Sequence, residues 1–218
     1  MGFDAAHTIS ALSKLALRLM RNANKKDASQ QMDMYFSAKR QTLAQFMEVY
    51  DQQRLHEIHG GSTILFDAMA HQSPQDRYDI VRFLIAQGAE LTDTNGENET
   101  LFHILFSRPK HNMAQTVELT KLLIDAGADI NQPDAKGRVA LQHLISHPRL
   151  TDRDSAPLYD LLFTRCRLDL SIKNAWGYTP IELTQKFPSL KFLKKISFFL
   201  LTKAQNAIIM RLISNENL

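Results

Sequence analysis

The chain has 218 residues, 44% of them apolar and 22% charged, a balance that excludes intrinsic disorder and fits one or two globular domains. Its 26 basic and 23 acidic residues leave a formal charge of +3, too little to supply the concentrated basic face of a nucleic-acid binder. One cysteine, Cys166, excludes an intramolecular disulfide and suits a reducing cytoplasm, while polar residues interrupt both Ile9–Met20 and Ile196–Ile213, so neither a secretory leader nor a membrane span is expected.

In chain order, Ile9, Leu12, Leu15, Ala16 and Leu19 form an apolar helical stripe. Lys14, Arg18, Arg21, Lys25 and Lys26 lie on and beyond the same segment. They read as a solvated basic face, or alternatively as a contact for an anionic membrane. Residues 22–29 are a polar connector. From there two landmarks recur. The first is a turn after an apolar helical run: Gly88 follows Ile80–Ile85, Gly127 follows Leu119–Ile124, and Cys166 follows Leu161–Phe163, each 39 residues after the last. The second begins a short helix: Thr63-Ile64-Leu65, Thr100-Leu101-Phe102, Val139-Ala140-Leu141 and Thr179-Pro180-Ile181, spaced by 37, 39 and 40. Gly61, Gly137 and Gly177 stand two residues ahead of three of these four starts. Residues 29–59 read as a degenerate first copy, with Phe46-Met47 where later copies carry Phe83-Leu84 and Leu122-Leu123.

These landmarks resemble the ankyrin repeat over roughly residues 60–187. Gly127-Ala128-Asp129-Ile130-Asn131 is similar to the family's loop entry and Gly177-Tyr178-Thr179-Pro180 to its helix start. The full Thr-Pro-Leu-His tetrad occurs nowhere, and the copies are longer than the family's period of about 33 residues. The excess is expected between the inner and outer helices, where Pro74, Pro109 and Pro148 stop the inner helix. The longest such loop is expected at Ser146–Pro157. The resemblance implies an all-α, ankyrin-like helical solenoid with short loop fingers and degenerate caps. Its parts would be an N-terminal helix and cap over 1–59, repeats over 60–187 and a C-terminal cap over 188–218. It also implies a ligand surface on the finger tips and the exposed side of the inner helices. Carried over, the tips hold Glu97 and Glu99, then Lys136 and Arg138, then Trp176 and Tyr178. The inner helices contribute Ala70 and His71, Ser107 and Arg108, Ser146 and His147, Lys186 and Phe187.

No catalytic, cofactor or metal site is expected. His143 and His147 share a helical face, but no acidic or cysteine neighbour in sequence completes a metal site. His103 occupies the family's structural histidine position. Cys166 replaces a turn residue and has no spacing to a base that marks it as a nucleophile. The expected function is therefore a non-enzymatic scaffold that binds a protein partner through Glu97, Glu99, Lys136, Arg138, Trp176, Tyr178, His71, Arg108, His147 and Phe187, in one version neutralising that partner. The alternative is a membrane-surface adaptor using the N-terminal basic helix or the C-terminal apolar segment. Phe198–Leu201 is apolar throughout, which implies either a lid formed by Ala204–Ser214 or a patch covered in a homodimer.

Overall fold

The computed structural model describes residues 34–186. The N-terminal basic stripe, Phe187 and the C-terminal apolar segment lie outside the described residues. Within them the chain is all-α. Helix α1 occupies residues 34–40, followed by α2 (Leu43–Val49), α3 (Ile64–Met69), α4 (Pro74–Ala86), α5 (Leu101–Phe106), α6 (Met113–Asp125), α7 (Ala140–Ile145), α8 (Asp152–Arg165) and α9 (Pro180–Lys186). No described helix is long and apolar enough to cross a membrane.

Short and long helices alternate, and each kind has a local cause. The short helices α3, α5 and α7 carry almost unbroken apolar sequence: Ile64, Leu65, Phe66, Ala68 and Met69 are all buried, as are Leu101, Phe102, Leu105 and Phe106. A helix apolar all round must be covered on every side. The longer helices are one-sided, burying Ile80, Val81 and Leu84 in α4, Leu119 and Leu123 in α6, and Leu158, Tyr159 and Leu162 in α8. Their starts are set by side-chain caps. Ser73 Oγ, Asn112 Oδ1 and Thr151 Oγ1 accept from the backbone N–H of Asp76, Gln115 and Asp154.

The two kinds of helix form two layers. In one, α3, α5, α7 and α9 pack in succession; in the other, α2, α4, α6 and α8 do. Contacts of α3 with α4 and of α5 with α6 join the layers. The core runs between them without interruption from Met34 to Leu162. Each fully buried leucine contributes about 2 kcal/mol, so neighbouring pairs stabilise one another through the shared core. Phe46 is buried and meets the Phe83 ring edge-on, with centroids 6.0 Å apart, whereas Met47 is 54% exposed. The degenerate copy therefore spends one of its two expected apolar residues on the core.

Two local expectations are corrected. The loop expected at Ser146–Pro157 ends at Thr151, and Pro157 lies inside α8. The capping box of Thr151 and Asp154 starts the helix early, and burial of Leu158, Tyr159 and Leu162 carries it past the proline. Nor does Cys166 reproduce the glycine turn. Gly88 and Gly127 follow their helices at φ +93° and +82°, whereas Cys166 caps α8 in extended backbone at φ −115°. A Cβ makes the left-handed region costly, so this copy leaves its helix by another route.

Candidate functional site

Between each long helix and the next short one the chain makes a finger, and three fingers are built alike. A side-chain oxygen folds each tip back on itself. Asn95 Oδ1 accepts from the N–H of Glu97 and Glu99; Asp134 Oδ1 accepts from Lys136 and Arg138; Asn174 Oδ1 accepts from Trp176 and Tyr178. These brackets recur at 39 and 40 residues, a signal present in the sequence beside the glycines but overlooked there. The tips are also joined to one another. Gly96 N–H donates to Gly61 C=O, Ala135 N–H to Glu97 C=O and Ala175 N–H to Lys136 C=O, each at 2.8 Å. The closest join favours glycine: a Cβ on Gly137, itself at φ +68°, would lie a tight 3.2 Å from Lys173 O. The result is a ledge of fingers held in register by backbone.

A second set of bonds ties the start of each short helix to the next finger. His103 Nδ1 accepts from Thr100 N–H at 3.0 Å, and its Nε2 donates to Arg138 C=O at 2.9 Å. Gln142 repeats the arrangement, its Oε1 accepting from Val139 N–H and its Nε2 donating to Tyr178 C=O. His103 thus ties the start of α5 to the next finger.

Two recesses open along the ledge. One, of about 340 Å³, lies between the first two tips and is bordered by Glu97, Glu99, Lys136 and Arg138. The other, of about 420 Å³, runs from Arg138 past Trp176 and Tyr178 to Leu183 and Lys186, with Gln142 and Ser146 from α7 at its base. Trp176 is 61% exposed at its rim. The ammonium of Lys186 sits 3.8 Å from the centre of the Tyr178 ring, an attractive cation–ring contact. Arg138 is clamped through Nε and Nη2 onto Asp134 at 2.8 and 2.6 Å. Burial opposes ionisation of Asp134, yet hydrogen bonds from Arg138 and from the Lys136 N–H outweigh it and hold the carboxyl below its usual range.

The residues expected to meet a partner divide into two groups. Glu97, Lys136 and Trp176 are exposed on the tips, and Glu99, Arg138 and Tyr178 are half-buried beside them. The inner-helix positions are displaced by one residue. His71 and His147 are buried, and their Nε2 atoms pair with Gln41 C=O and Arg108 C=O of the preceding copy. Arg108 likewise donates to Ala70 C=O and Ile104 C=O. Buried His71 and His147 are spent on joining copies, and half-buried Arg108 also joins them. The residues that do line the groove are the earlier members of the same pairs, Ser146 and Lys186. Phe187 lies outside the described residues.

The fold also gathers His103, Asp134 and His143, whose ligand atoms lie within 4.8 Å of one another. Sequence spacing offered no acidic neighbour for His143; the adjacent finger supplies one. Both His103 nitrogens and both Asp134 oxygens are already engaged by protein groups, so a metal would have to break the ties just described. Only His143 Nε2 lacks a hydrogen-bond partner, at 3.5 Å from Asp134 Oδ2. Burial, with the nearby Arg138 and His103, lowers the His143 pKa to about 4, so this histidine is neutral near pH 7.

No family model matches the chain, and no curated protein matches it. Among solved structures 463 chains match it. Among them is a functionally unknown protein from Leptotrichia buccalis C-1013-b, to which this chain is similar at 26% identity, with a TM-score of 0.64, over 78% of this chain and 94% of that one.

Proposed function

We propose that the chain is an ankyrin-like repeat solenoid whose function is to bind a protein partner along the finger ledge and the groove beside it. The observation that carries this reading is Trp176, the chain's single tryptophan, held 61% exposed on a finger tip above a recess. Exposed tryptophan and tyrosine on a rigid support are the residues most often responsible for binding energy at interfaces. The backbone ties between tips fix the ledge in advance, so little ordering cost falls on the binding step. Cys166 supports a non-catalytic role, because burial raises its thiol pKa, the reverse of what an activated nucleophile needs. Its free state suits a reducing compartment such as the cytoplasm.

The test is comparative capture from the native cell extract, followed by calorimetry with the purified partner. Trp176→Ala is expected to weaken that partner's binding by about 2 kcal/mol or more. Thermal stability should barely change, since the side chain buries little in the free protein. A control variant on the other helical layer, Arg82→Gln, should bind normally. Equal affinity for wild type and Trp176→Ala would remove the third finger from the interface.

A further inference from the structure

We propose that the groove below Trp176 takes an acidic, partly apolar segment of the partner, with a carboxylate received by Lys186 and Arg138 and an apolar side chain laid against the Trp176 indole. This rests on the protein-binding reading and adds the partner's chemistry to it.

The charge of the groove carries the inference. Arg138 and Lys186 line it, and among the described residues no carboxylate does. The one acid close behind, Asp134, is buried, with both oxygens committed to Arg138 and to finger N–H groups. It orients the Arg138 guanidinium without reaching the groove. Lys186 has no carboxylate partner among the described residues; it rests on the Tyr178 ring instead. Lys136, exposed on the neighbouring finger, also lacks one among the described residues. Glu182, one turn before Lys186, makes no ion pair with it; its Oε2 accepts from Thr179 N–H and Oγ–H in the capping box of α9. The groove therefore presents the Lys186 ammonium and the Asp134-held Arg138 guanidinium beside an apolar wall of Trp176, Tyr178 and Leu183. A carboxylate there gives Lys186 an attraction that no carboxylate of the described residues provides, and the wall gives an adjacent apolar side chain a surface to leave water. A basic segment would meet the Lys186 ammonium, which no carboxylate of the described residues compensates, and a wholly polar acidic one would leave Trp176 uncovered.

Because Trp176 is the sole tryptophan, its emission reports on this groove alone. The probes are tryptophan-free synthetic peptides, one alternating Glu and Leu, one Gln and Leu, one Lys and Leu, titrated onto the full chain. The Glu/Leu peptide is expected to shift Trp176 emission saturably, with affinity that falls as salt rises. The Gln/Leu peptide should bind at least about tenfold more weakly, and Lys186→Gln should weaken Glu/Leu binding about tenfold as well. Arg82→Gln, on the exposed side of α4, should leave it unchanged. Equal binding of the Gln/Leu or Lys/Leu peptide would overturn the proposal. So would an unaltered affinity in Lys186→Gln, no saturable response at millimolar peptide, or displacement of the Glu/Leu peptide by polyuridylate at matched charge concentration. If the natural partner still loses affinity with Trp176→Ala while these peptides fail, the acidic chemistry falls and the protein-binding reading stands. If the peptides succeed while Trp176→Ala leaves the partner unaffected, the broader reading falls.

Discussion

Asn98 occupies the position that Gly61, Gly137 and Gly177 hold in the other fingers, and it is the one non-glycine residue with positive φ among the described residues, at +56°. The sequence therefore has four equivalent turn residues, not three. Asparagine tolerates the left-handed region, which is why the finger closes without glycine. Asn98→Gly is expected to leave stability nearly unchanged, whereas Asn98→Val should cost about 1–2 kcal/mol because a β-branched residue is strained there. Urea unfolding of the two variants measures the difference. A valine variant as stable as wild type would mean that the finger opens without consequence.

At the scale of the element, α8 stands apart. Its fellows α4 and α6 have no internal proline, while Pro157 is the sixth residue of α8 and cannot donate to Arg153 C=O. Pro157 is exposed, so its replacement leaves no cavity. Pro157→Ala should restore the missing hydrogen bond and raise stability by about 1 kcal/mol or more. The check is the denaturation midpoint at constant slope. A lower midpoint would show that the proline's restriction of the unfolded chain outweighs its cost in the helix. The finger elements differ in kind from the helices. They hold their shape by Asx brackets and by backbone bonds to the adjacent tip, so their geometry depends on the copy beside them as well as on their own sequence.

At the scale of the molecule, the junctions between copies are lined with polar side chains that bond backbone carbonyls. His103 and Gln142 reach forward along the ledge; His71, His147 and Arg108 reach back at the other end of the short helices. Buried Arg77 adds a further tie, donating to His71 C=O and to Lys110 C=O. Burial, together with nearby Arg108, lowers its pKa to about 10, still far above neutrality. These junctions make the stack sensitive to acid. Burial lowers both His111 and His143 to about 4, aided by neighbouring Arg77 at His111 and Arg138 at His143. Between the unfolded histidine value of about 6.5 and the folded value, the unfolded chain binds more protons, so stability is intact above pH 6.5 and declines as pH falls toward 4. Each histidine contributes on the order of 3 kcal/mol across that window. The melting temperature should therefore fall steadily from pH 7 to pH 4.5, and His143→Gln should flatten part of the slope. A slope unchanged in that variant would place the titrating group elsewhere.

Much of this arrangement was legible in the sequence. Apolar runs at helical spacing, glycines after them and threonines before the next short helix are local signals, and local sterics and burial act on them wherever the chain goes. They determined an all-α chain of repeated helix pairs, while the expectation of Trp176 and Lys136 on finger tips came from the resemblance those signals carry. What they left open depends on contacts between copies some 35–40 residues apart, as with His103 and Arg138 or His147 and Arg108. Whether Ser146 or His147 faces the groove is a rotation of one residue on a short helix. It is decided by which neighbouring carbonyl the imidazole can reach. The groove that runs from Arg138 of one finger to Trp176, Tyr178 and Lys186 of the next copy arises in the same way. Tertiary packing brings side chains from successive fingers together, and no spacing within a single copy encodes that meeting.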